Sequence, residues 1–165
     1  MSIDNIKFPA IILQALYTKP LYNMKTSESA GDLTKTNNIS YLGNNQKKVA
    51  ILIKSAEVIY LPDDELNFLL GILTACKLSM ADIALINISK NTSLTYKEIT
   101  EQLKAEKILL FGINPTELGL PMQFPNYQIQ NYNSQVYLSS VSLDNQQTDK
   151  KEKMKLWNCL KKIFP

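Results

Sequence analysis

The side chains of this chain that could do chemistry are carboxylates, lysines, tyrosines and two cysteines, because its 165 residues include no histidine. That excludes Ser-His-Asp and Cys-His nucleophiles, imidazole acid–base catalysis and the usual zinc ligand sets. Cys76 and Cys159 are far apart and form no CxxC. Both fall on apolar helix faces, as reduced core thiols do. Asp63, Asp64 and Glu65 are three adjacent acids of the kind that binds a hard cation. They equally suit the first turn of a helix, whose dipole favours negative charge, and this is the reading adopted. The remaining candidate is the loop closing the stretch 107–121, KILLFGINPTELGLP. Its candidate site residues are Phe111, Gly112, Asn114, Pro115, Gly119 and Pro121. It matches neither GxGxxG nor a Walker A sequence, and no Lys-Ser/Thr pair follows to grip phosphate. No catalytic residue, metal ligand set or cofactor is therefore assigned.

That loop needs a sheet to hold it. Ile108, Leu109, Leu110 and Phe111 form an unbroken apolar run, as a strand buried on both faces does. Gly112, Asn114-Pro115, Gly119 and Pro121 break it into a turn. In open α/β sheets the mouth beyond a strand's carboxyl end is where ligands bind. Further strands are expected at 49–53, 58–61 and 83–88, with a short strand at 39–42 turned by Gly43-Asn44-Asn45 into the first of them. The segments 127–132 and 136–138 read as a strand pair. A leucine-rich helix over 63–77 is apolar nearly all round. It either lies centrally or offers its second face to another protein. Thr95 and Glu98 form a capping box opening a helix with Tyr96, Ile99 and Leu103 on one face. A last helix, 149–164, should turn Leu156, Trp157, Leu160, Ile163 and Phe164 inward and its six lysines mostly outward. The result is an α/β fold with a mixed, partly parallel sheet and helices on both faces.

Before that domain, which spans 39–165, residues 1–22 read as an amphipathic arm and 23–38 as a flexible linker rich in Thr, Ser, Asn and Lys. Phe8, Ile11, Ile12, Leu16, Tyr17 and Leu21 supply the arm's apolar face, which would either cover the domain's core or bind a partner. Every basic residue is a lysine, and the net charge is +3. Without arginine, base-specific DNA reading is disfavoured. The lysines of the last helix read as a solvated face, with nucleic-acid contact as the alternative. No apolar run approaches the roughly 20 residues that span a bilayer, and no signal peptide is evident, so a cytoplasmic location is expected.

The run Gly112-Ile113-Asn114-Pro115 after an apolar strand resembles the Gly-Gln-Asp-Pro motif of uracil-DNA glycosylases, with Asn114 where their water-orienting acid stands. More of the chain resembles the psi subunit of bacterial DNA polymerase III. The resemblance lies in the arm and linker, the apolar segments 49–53 and 58–61, the acid-opened leucine helix, the terminal helix with Leu156-Trp157 and the ending Phe164-Pro165. It implies a uracil-DNA glycosylase-like fold without that activity. It also implies an adaptor whose arm, anchored by Phe8, Ile12 and Leu16, binds the clamp loader and whose domain binds a chi-like subunit. The alternatives are a glycosylase-like or nucleotide-processing enzyme using the loop 112–121, or a small-ligand module.

Overall fold

The computed structural model describes residues 38–91 and 93–165; the arm residues Phe8, Ile11, Ile12, Leu16, Tyr17 and Leu21, and the linker up to residue 37, lie outside them. Five strands form one sheet: β1 (Val49–Ile53), β2 (Ile83–Asn87), β3 (Lys107–Phe111), β4 (Ile129–Tyr132) and β5 (Gln135–Ser140). Their spatial order is β2-β1-β3-β5-β4. The first four strands of that order run parallel, and β4 joins antiparallel to β5. The sheet is thus mixed and largely parallel, as the apolar runs predict.

Alternate residues of these strands feed two cores. Val49, Ile51, Ile53, Leu85, Leu109 and Phe111 face one side. There they meet three helices, α1 (Asp63–Ala75), α3 (Leu143–Thr148) and α4 (Lys150–Ile163). Ala50, Leu52, Ile86, Ile108 and Leu110 face the other side, covered by α2 (Tyr96–Leu103) and by the segment containing Leu118 and Leu120. Helices on both faces leave β1 and the edge strand β2 no solvated face, which is why both are buried at every position. The capping box of α2 forms as expected, with the Thr95 N–H donating to Glu98 Oε2 at 2.8 Å and the Glu98 N–H to Thr95 Oγ1 at 3.4 Å.

Two expected strands are absent. Residues 39–42 do not form a hairpin with β1, because β2 and β3 already occupy both of its edges. Leu42 instead makes a single antiparallel bridge to Leu85 on the outer edge of β2, with N–H···O distances of 2.9 and 2.8 Å. Gly43 makes this approach possible: its φ is +109°, and a Cβ there would lie 2.2 Å from the Ile83 carbonyl oxygen. Residues 58–61 are irregular because Asn87 captures their backbone. Its Nδ2 donates to the carbonyls of Ser55 (2.7 Å), Ile59 (3.1 Å) and Val58 (3.2 Å), and its Oδ1 accepts from the Ser55 and Ser89 N–H groups, each at 3.1 Å.

The helices differ from expectation too. α1 stops at Ala75, and Lys77 takes a left-handed φ of +58°. It is not buried all round: only Leu69 and Leu73 are fully covered, while Leu66, Phe68, Leu70 and Ile72 remain half-buried. On α4, Leu156, Cys159, Leu160 and Ile163 point inward. Trp157 does not: it is 37% exposed, because its position falls outside the arc those four residues define. Phe164 is half-buried, with Lys107 Nζ 4.4 Å above its ring.

Candidate functional site at the carboxyl ends of the strands

The connection from β1 leads through α1 to β2 on one flank, and the chain then passes through α2 to β3 on the other flank of β1. The order therefore reverses between β1 and β3, the position at which doubly wound sheets bind ligands. Here that position is bridged. Lys54, the first residue after β1, places its Nζ 2.9 Å from Glu117 Oε2. Glu117 also accepts the Asn114 N–H at 3.2 Å and donates its own N–H to the Asn114 carbonyl at 2.9 Å. These contacts close residues 114–117 into a 3-10 turn opened by Pro115. The Lys54 ammonium and the Asn114 N–H hold the Glu117 carboxyl below its ordinary range. A carboxylate so stabilised is a poor proton acceptor.

The open space lies one strand further along, between the ends of β3 and β5. A crevice of about 370 Å³ is lined there by Gly112, Asn114, Asn126, Ser140, Ser142 and Asn145 with the backbone between them. None of its lining residues is ionisable. The Ser139 hydroxyl donates to Asn126 Oδ1 at 2.9 Å, which fixes one wall. The floor depends on Gly112. Its φ is +67°, its N–H donates to the Ser140 carbonyl at 2.9 Å, and a Cβ there would lie 3.1 Å from the Cβ of Ser142.

Of the residues expected to form this site, Gly112 and Asn114 line the crevice, whereas Phe111 and Pro115 are buried. Gly119 caps the 3-10 turn, and neither it nor Pro121 reaches the crevice. The opposite wall, from Ser140 to Asn145, is absent from the sequence expectation. The S-x-x-N spacing of Ser142 and Asn145 at the start of α3 was its only local sign.

The three acids Asp63, Asp64 and Glu65 do occupy the first turn of α1. Burial, with the Asp144 carboxylate nearby, pushes Glu65 upward. Among the described residues no three acids, cysteines or histidines gather closely enough to hold a metal ion. Nor, among them, is any helix long and apolar enough to cross a membrane.

A second polar cluster secures α4. The Tyr127 hydroxyl donates to Glu152 and accepts from Gln146 Nε2 at 2.8 Å. Lys155 pairs with Glu152 at 2.8 Å, and the Cys159 thiol donates to the Tyr127 carbonyl at 3.2 Å. Burial, then the Glu152 carboxylate, drives the Tyr127 phenol far above its usual range, so it stays a donor.

No protein-family model matches this chain, and no curated protein sequence matches it.

Proposed function

We propose that this chain is a non-catalytic protein–protein adaptor related to the psi subunit of bacterial DNA polymerase III, working among replication proteins in the cytoplasm. One observation carries the reading. The apolar side of α1 that its own domain leaves half-covered borders a groove of about 380 Å³, formed by Leu66 and Leu70 with Leu42, Gly43, Met80 and Ala81. Tyr41 and Leu42 beside it are 38% exposed. A groove of this composition suits a partner's apolar side chains. On this reading the domain takes a chi-like subunit and the arm takes the clamp loader. Copurification tests both arms of the proposal. Leu70→Asp should lose the chi-like subunit, and deletion of residues 1–38 should lose the clamp loader. Unchanged recovery in both variants refutes it.

The same reading treats the sheet as a relative of the uracil-DNA glycosylase fold without its chemistry. Asn114 cannot serve as a carboxylate base, and Glu117 beside it is held by Lys54. Uracil-containing DNA should release no base. Release that disappears in Asn114→Ala would reverse this.

A small-ligand module is the second reading, favoured by the crevice of about 370 Å³ with its carboxamides and hydroxyls. Mass spectrometry of the protein purified under native conditions tests it. A stoichiometric small molecule that is lost with Asn145→Leu supports a ligand site, and its absence removes this reading.

A further inference from the structure

The outer face of α4 carries the most concentrated charge in the described domain. Residues 149–165 hold six lysines against Asp149 and Glu152, an excess larger than the +3 of the whole chain. Both acids are committed locally. Asp149 accepts the Lys151 N–H at 2.8 Å as the helix cap, and Glu152 is held by Tyr127 and Lys155. Among the described residues, Lys150, Lys151 and Lys162 enter no ion pair.

Through the middle of these cations runs an apolar stripe. Lys150, Met154, Trp157 and Lys161 are spaced i, i+4, i+7 and i+11, which places them on one line along the helix. Met154 is 67% exposed and Trp157 37%. A large thioether and an indole left open side by side, with lysines at both ends, form an interface core with a charged rim. We infer that this face of α4 binds an acidic amphipathic segment of a partner protein, its apolar residues on Met154 and Trp157 and its carboxylates on Lys150, Lys151, Lys161 and Lys162.

Charge complementarity selects an acidic occupant, and two features select a peptide over a single-stranded nucleic acid. Lys161 Nζ lies 5.3 Å from the centre of the Trp157 ring, so a stacking base would compete with the chain's own ammonium for the indole. The surface is also one convex helix with a single aromatic side chain, where strand-binding proteins use a groove with successive aromatic platforms. A second copy of this chain would oppose lysines to lysines. The surface is separate from the α1 groove, and the inference does not rest on the adaptor reading.

Trp157 is the only tryptophan of the chain, so its emission reports this surface alone. The full-length protein is panned against a displayed library of helical peptides of mixed charge, and the enriched peptides are synthesised and titrated while the indole emission is followed. Enrichment should favour Asp and Glu interleaved with Leu, Ile or Phe at helical spacing, with a blue shift of Trp157 on binding. Reversing two cations, Lys150→Glu with Lys161→Glu, should weaken binding about tenfold or more. The milder pair Lys150→Gln with Lys162→Gln should weaken it less, without altering the thermal midpoint. Neutral or basic peptides, no enrichment, equal binding by the reversed variant, or a thymidine oligonucleotide that displaces the peptides at equal concentration would each overturn the inference.

Discussion

Lys54 Nζ stands 2.9 Å from Glu117 Oε2, and this ion pair joins the loop after β1 to the loop after β3 at the point where the strand order reverses. Where related architectures open a crevice, this chain has a strut.

The strut predicts a pH dependence. The folded Glu117 carboxyl lies below its ordinary value, so it contributes stability above the ordinary carboxylate range and loses it as pH falls through the folded value. Glu117→Gln should cost about 0.2–1 kcal/mol at neutral pH, the worth of a partly exposed pair, and nothing in strong acid. Urea melts of both proteins across the acid range measure the difference. Only part of the acid sensitivity should vanish, because Asp82, Glu106 and Glu152 are also lowered, by Ser79, Lys48 and Lys155 respectively. A constant difference at every pH counts against the ion pair.

Asn87 should be the most sensitive buried polar position. It is 1% exposed and bonds three carbonyls and two N–H groups. Asn87→Leu strands some of them without partners and should cost about 2–3 kcal/mol, read from the urea midpoint. Asn87→Asp should cost more, since a carboxylate oxygen would then face the Ser55, Val58 and Ile59 carbonyls. Less than about 0.5 kcal/mol in either variant would show that the 54–61 loop holds itself.

Gly112 and Gly119 make a matched pair. Both have positive φ, +67° and +74°, but only at Gly112 would a Cβ meet another atom, in Ser142. Each Gly→Ala should lose about 1–2 kcal/mol for the left-handed backbone. Gly112→Ala should lose visibly more, from displacing Ser142 and with it the crevice floor. Equal losses in thermal melts would mean that Ser142 yields freely.

The two thiols should separate in reactivity. Cys159 is 8% exposed and donates to the Tyr127 carbonyl, while Cys76, just past α1, is half-buried. Burial raises both thiols above their ordinary value, so little thiolate forms in the native state. A disulfide reagent should label Cys76 slowly, Cys159 more slowly still, and both at once in denaturant. Rapid native labelling of Cys159 would contradict its packing.

The sheet was legible wherever burial on both faces writes an unbroken apolar run, as in β1, β2 and β3. The capping box of α2 and the β4–β5 pair were legible because their signals are local. The segment 58–61 carries the composition of a strand, yet one amide on β2 draws its carbonyls away, and no local pattern marks that. Trp157 shows the same limit. Hydrophobic type suggested an inward side chain, while its angular position on α4 put it near solvent. Half of the crevice was illegible for a tertiary reason. The Gly112 floor meets Ser140 and Ser142 only because β3, ending at Phe111, and β5, starting at Gln135, pair in parallel across a stretch of chain that no short-range rule connects.

The bridge between Leu42 and Leu85 has a mechanical consequence. Among the described residues, the backbone of residues 38–42 joins the sheet's backbone through two hydrogen bonds alone, between Leu42 and Leu85 on the outer edge of β2, while Ile39 is buried in the core and Ser40 pairs with Asn91. Tension applied at residue 38 loads the Ile39 packing, the Ser40–Asn91 hydrogen bonds and this short bridge before it loads any full strand pair. Should it part, the outer edge of β2 loses its cover and presents unpaired N–H and C=O groups to neighbouring chains. A stretched molecule would therefore become sticky before it unfolds.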